Sequence, residues 1–119
     1  MKGKNLKWHK LADTVEGIGW GKNNMAIVDV AGRKATLLRF ENELYACAQV
    51  CPHAGGILAD GFIDGAGYVV CPIHRYRFDP SNGRNVTGEG YYLKTYPVEK
   101  RDAGIFIGIE ENTWLDIFK

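Results

Sequence analysis

Long apolar runs are what this chain most plainly lacks. The longest are a few residues, as at Ala26-Ile27-Val28 and Ile105-Phe106-Ile107, whereas a membrane-crossing helix needs about 20. The first ten residues are basic, with no apolar stretch behind them, so no secretory signal is expected. Charge of one sign is lacking too. Fifteen Lys+Arg against 14 Asp+Glu leave a net charge of +1, and no global field draws the chain to nucleic acid or an anionic membrane. Helical periodicity over windows of about 11 residues is absent, as are internal repeats and Ser/Pro-rich linkers. The 3 cysteines are an odd set, which argues against a disulfide framework in a chain without a secretion signal. A cytoplasmic protein with neither a membrane nor a nucleic-acid partner is expected.

What is present fits one compact unit. At 119 residues, 45% apolar and 24% charged, the chain has the composition of a globular domain rather than a disordered segment. A single domain over residues 1–119 is the expectation. Glycine is the outlier, with 15 residues, nearly twice the usual share of about 7%. It is dispersed beside Asp, Asn and Ala, as turns require.

Short β-prone runs separated by such turns fill most of the sequence. Residues 26–30 meet Ala31-Gly32, residues 34–40 meet Glu41-Asn42, and residues 43–50 follow with alternating apolar positions. Residues 61–63 lead through Asp64–Gly67 to residues 68–71. Later, residues 95–100 turn through Arg101–Gly104 into residues 105–109, with Ile105, Ile107 and Ile109 on one face. The pattern predicts an all-β, antiparallel sandwich or small barrel. The tail Trp114–Phe118 has the apolar weight to pack back on the body. Residues 51–56 and 74–90 read instead as loops by their Pro, Gly and Asn content, and long loops in compact domains usually carry function.

Two of the three His and two of the three Cys lie in or just before those loops, in near-duplicate clusters. They are Cys51-Pro52-His53 and Cys71-Pro72-Ile73-His74, with 17 residues (54 to 70) between them. Two thiolates and two imidazoles could bind one Zn²⁺ tetrahedrally, or two irons bridged by two sulfides. Zinc sites more often pair their cysteines as C-x₂₋₄-C. Here each loop supplies one sulfur and one nitrogen. Two such loops face to face would sort both Cys to one side and both His to the other, which suits a cluster with chemically distinct irons.

The pattern C-x-H, 17 residues, C-x-x-H, followed by Phe78-Asp79, resembles the Rieske iron–sulfur motif, and the resemblance extends over essentially the whole chain. It implies a small cluster-binding loop subdomain at roughly residues 47–87 and one [2Fe–2S] cluster. It also implies that Cys51 and Cys71 ligate one iron and His53 and His74 the other through Nδ1, with the Nε2 edges near solvent. Charge counting explains mixed ligation. Two ferric ions, two sulfides and two thiolates sum to zero, so reduction leads to −1 rather than from −2 to −3, and the potential rises.

Both loops depart from the respiratory-chain subtype. Gly56 and Ile73 stand at that subtype's two disulfide positions, Tyr76 at its serine and Phe78 at its tyrosine. No interloop disulfide can form and hydroxyl donors to the cluster are lost or altered, so the expected potential lies low in the family's range. Arg75 replaces the small residue common after the second ligand histidine. With Arg77 it reads as a solvated basic face or, alternatively, as a docking rim for an acidic partner.

Other residues carry less. Cys47 reads as a buried strand residue, with redox sensing as the sharper alternative, and His9 as a surface residue. Gly55 and Gly56 suit a turn whose amides approach the cluster sulfides. Pro52 and Pro72 stiffen the loops. Pro80, Asn82 and Gly83 suit a turn, and Tyr76, Tyr91, Tyr92 and Tyr96 read as wall and core.

The resemblance is to soluble ferredoxins that pass one electron from an NAD(P)H-dependent flavin reductase to a terminal oxygenase, with no catalytic residues of their own. The oligomeric state is open and compatible with a monomer. The competing readings are a small subunit of a nitrite-reductase-like complex and a structural zinc-binding interaction domain.

Overall fold

In the computed structural model, which describes residues 6–52, 55–88 and 90–110, the β-strand expectation holds. Among the described residues, ten strands form three antiparallel sheets, joined by loops that include two single-turn 3₁₀ helices, Val15–Gly17 and Leu58–Asp60. Strands β2 (Met25–Val30), β3 (Arg33–Phe40), β4 (Glu43–Ala48) and β8 (Thr95–Tyr96) form one sheet, in that order. Strands β1 (Leu6–Ala12), β10 (Gly104–Glu110) and β9 (Val98–Arg101) form a second, with β10 central. The third is small and comprises β5 (Phe62–Ile63), β6 (Val69–Val70) and β7 (Arg77–Phe78). No helix among the described residues is long and apolar enough to cross a membrane.

The hairpins follow from turn chemistry. Ala31 and Gly32 have φ 51° and 81°, Glu41 and Asn42 φ 50° and 67°. These two-residue loops close the pairs Val30↔Arg33 and Phe40↔Glu43. Positive φ at both central residues matches the twist of the flanking strands.

The β2–β3–β4–β8 sheet is covered on both faces, and this positions everything else. One face sends Ala26, Val30, Ala35, Leu37 and Ala46 into a core shared with Ile105, Ile107 and Ile109 of β10. The other sends Met25, Leu38 and Cys47 into a second core with Cys51, Leu58, Val69, Cys71, Phe78 and Leu93. Residues 35–38 of β3 are therefore all buried, as expected for a strand packed on both sides. Thr36 is tolerated there because its hydroxyl donates to the Ala48 carbonyl at 3.1 Å.

Four sequence readings need correction. Residues 6–12, within a basic stretch for which the sequence suggests no strand, form strand β1. A register shift between Lys10 and Ala12 breaks the two-residue alternation while turning Leu11 and Ala12 onto the core. Residues 95–100 are two strands. Pro97 cannot donate to a ladder, and at that point the chain leaves β4 to join β10. The 74–90 loop contains β7, and the bridges Phe78↔Asn85 and Arg84↔Tyr92 bind it down. Finally, Tyr91 and Tyr92 are 41% and 69% exposed, so of the four tyrosines expected in the wall and core, Tyr76 and Tyr96 are half-buried and the other two are not. Trp114–Phe118 lies outside the described residues.

Candidate metal centre

The two cysteine loops leave the core in the same manner. The Cys51 amide donates to the Gly56 carbonyl at 2.8 Å, and the Gly55 amide to the Cys51 carbonyl at 3.1 Å. In the second loop the Cys71 amide donates to the Tyr76 carbonyl at 2.9 Å, and the Arg75 amide to the Cys71 carbonyl at 3.0 Å. The same pair of bonds, at the same offsets, closes both loops. In each the fourth residue after the cysteine is left-handed, Gly55 at φ 74° and Arg75 at φ 60°.

Neighbouring elements hold these loops. The Leu58 amide reaches the Gln49 carbonyl at 2.9 Å, and Val50 bridges Ile57. The Asn23 side-chain amide donates to the Ala59 and Gly61 carbonyls at 2.7 and 3.0 Å, pinning the 3₁₀ turn after the first loop to the chain entering β2. Asp79 carries the return turn. Its carboxylate accepts from the Ser81 amide at 2.9 Å and hydroxyl at 2.6 Å, and its carbonyl accepts from the Gly83 amide at 2.7 Å, as the Pro80–Gly83 turn signal suggests. Sequence reasoning missed Asn23, because a lone Asn in a loop gives no sign of a partner 36 residues later.

Cys51 and Cys71 are both buried and come together at the base of the loops. Burial pushes the Cys71 thiol up, and the adjacent Cys51 pushes it the same way. Backbone amides of Ile73 and His74, aimed at its sulfur, pull it down. The Gly55 amide is engaged by the Cys51 carbonyl, so Ile73 and His74, rather than Gly55, present amides to a cysteine sulfur. His74 is exposed at the crest of its loop. Its ring stands 6.1 Å from that of Tyr76, which stacks at 6.4 Å on Tyr91. His53 lies outside the described residues, and among those described no three of His, Cys, Asp and Glu form one metal-holding group.

This donor set fits a [2Fe–2S] group. Two thiols in an apolar core are costly to ionise side by side, and a cationic centre between them would remove that cost. The amides on Cys71 stabilise thiolate charge. Sulfur in the core and imidazole at the crest match a group with one buried and one solvent-facing metal.

The third cysteine, Cys47, is wholly buried on β4, opposite Thr36. Burial pushes its thiol up to about 12 despite the Thr36 hydroxyl, so it is an inert core residue and a poor redox sensor. His9 is half-buried in β1 rather than fully on the surface.

Comparison with known proteins agrees with this geometry. The family model of the Rieske [2Fe-2S] domain matches residues 7–97. The ferredoxin component of the naphthalene 1,2-dioxygenase system of Pseudomonas putida is 31% identical over 108 residues, covering 87% of this chain and 97% of that protein. A chain from the complex of reduced oxygenase and oxidized ferredoxin in carbazole 1,9a-dioxygenase superposes with TM-score 0.74 at 21% identity, covering 92% and 99%. A structure provisionally described as an NADH-dependent nitrite reductase small subunit from Mycobacterium tuberculosis superposes with TM-score 0.75 at 20% identity, covering 91% and 99%. At those identities the two structures speak for the fold.

Proposed function

This chain belongs to the Rieske [2Fe–2S] domain family, and on that premise we propose that it carries single electrons from an NAD(P)H-dependent flavin reductase to a terminal oxygenase. Bound to the loops, one [2Fe–2S] cluster supplies a site that takes up and gives back one electron. Cys51 and Cys71 would hold the inner iron and His53 and His74 the outer one. The placement of His74 at the exposed crest, above two buried sulfurs, is the observation that carries the reading.

The chain's own residues account for the remaining requirements. Phe78, Leu58 and Val69 keep water from the sulfurs. The Ile73 and His74 amides oppose negative charge at Cys71. The matched loop-closing bonds hold the ligand backbones still between oxidation states, which keeps reorganisation small. Residues 47–87 act as the cluster-binding part of a single cytoplasmic domain. The naphthalene dioxygenase ferredoxin, similar over nearly its whole length, supports the carrier role. The fold is shared with the structure provisionally described as a nitrite reductase small subunit, and co-purification with a large sirohaem subunit would favour that second setting.

Iron, acid-labile sulfide and zinc are to be measured on protein purified without oxygen. Two irons, two sulfides and no zinc per chain are expected. One zinc and no sulfide would replace the carrier with a structural zinc domain.

A further inference from the structure

We propose that the crest of the second cysteine loop docks an acidic face of a redox-partner protein, and that Arg75 is its charge determinant. The inference rests on the electron-carrier reading and adds the chemistry of the partner.

Arg75 occupies a left-handed backbone position, φ 60°. Its counterpart in the first loop, with the same bond to a cysteine carbonyl, is Gly55. Glycine adopts that conformation without cost and arginine does not. A strained residue next to a functional group points to a use for its side chain. The side chain is exposed and adjoins His74 in sequence.

Its charge is also unmatched. Arg77 pairs with Asp64, Lys10 with Asp13, Lys34 with Asp29, Lys94 with Glu110 and Arg101 with Glu99. Among the described residues Arg75 has no ion pair and no ring contact; Lys7, Lys22, Arg33 and Arg84 share that, but none of them lies in a cysteine loop. The two loops, residues 49–57 and 71–78, contain Arg75 and Arg77 and no acidic residue. Ile73, two residues before Arg75, is 53% exposed, and Tyr91, 41% exposed, stacks on Tyr76, whose ring neighbours His74. One unpaired cation with an apolar side chain and an aromatic ring around an exposed histidine suits a carboxylate-rimmed protein surface.

The test uses the cluster-loaded, reduced full chain and small oxidants of opposite charge. Each molecule of protein gives one electron to one hexacyanoferrate(III), forming hexacyanoferrate(II), or to one cationic cobalt(III) tris-phenanthroline, forming cobalt(II). No bond or proton changes place. At low ionic strength Arg75→Gly should slow oxidation by the anion about three- to tenfold and speed oxidation by the cation, with both effects fading in high salt. Arg75→Asn, which also tolerates the left-handed backbone, should do the same. Arg75→Lys should stay within about twofold of the original chain, as should Lys7→Gln on the far sheet, which removes an equal charge. A decaglutamate peptide should slow the anion reaction of the original chain and leave that of Arg75→Gly unchanged.

Arg75→Gly and Arg75→Asn rates within about twofold of the original with both oxidants, equal slowing with both, or an equal effect of Lys7→Gln would overturn the docking assignment while leaving the carrier reading intact. Folded protein that takes up no cluster overturns both.

Discussion

Ile73 occupies the space that a side chain on Gly56 would need. A Cβ added to Gly56 would lie 2.9 Å from Ile73 Cγ1 and 3.1 Å from Cys71 Sγ. At the two positions where the respiratory-chain pattern places a disulfide, this chain has an apolar contact between the loops. Gly56→Ala should therefore destabilise the protein by about 1 kcal/mol, the low end for overpacking because Ile73 is half-exposed and can move. Adding Ile73→Ala should recover part of the loss, because the stricter neighbour, Cys71 Sγ, remains. Urea denaturation of the single and double variants measures both, and equal losses in the two would place the strain elsewhere.

The same contact bears on redox tuning. Without an interloop disulfide, and with Tyr76 and Phe78 at the hydroxyl-donor positions, a reduced cluster held by these loops would have fewer donors to its sulfurs. Protein-film voltammetry should give a potential in the lower half of the roughly −150 to +300 mV family range. Tyr76→Ser, which restores a small hydroxyl, should raise it. A potential in the upper half, or a downward move in Tyr76→Ser, would contradict this account of the donors.

Arg75 sets stability against function. Because φ 60° is unfavourable for a residue with a Cβ, Arg75→Gly should stabilise the fold by about 1 kcal/mol. For a domain of this size the thermal midpoint would rise by about 4 °C. A midpoint that falls would mean that the arginine side chain holds the loop together.

Cys47 supplies a pH dependence with a definite sign. Its thiol is raised from an ordinary 9.0 to about 12 by burial. Above pH 9 the unfolded chain releases this proton and the folded chain retains it, so stability falls as pH rises, by up to about 1.4 kcal/mol per pH unit. The contribution is intact below that pH. Cys47→Ala should lose less stability than the original chain between about pH 8 and 10.5. Parallel curves would show that Cys47 ionises as easily folded as unfolded.

Much of this was legible in the sequence, for physical reasons. The alternation of Ile105, Ile107 and Ile109 survives because β10 presents one face to a core. The turns at Ala31-Gly32 and Glu41-Asn42 lie at the tight β2–β3 and β3–β4 connections. The Cys/His spacing singled out Cys51, Cys71 and His74, and the structure places the two cysteines together in the second core with His74 exposed on its loop. Strand β1 was hidden because its bulge breaks the alternation, and the β8/β9 break was hidden because Pro97 sits inside a run that still looks β-prone. The matching of Gly55 to Arg75 depends on hydrogen bonds made in three dimensions, and the residue letters suggest no such equivalence.

The electron paramagnetic resonance spectrum of dithionite-reduced protein, purified without oxygen, tests the central claim most directly. The account requires a rhombic signal with a low average g value, as expected when two histidines and two cysteines hold a [2Fe–2S] cluster, and its loss in His74→Ala. A silent spectrum from folded protein, or an unchanged signal in His74→Ala, would contradict it.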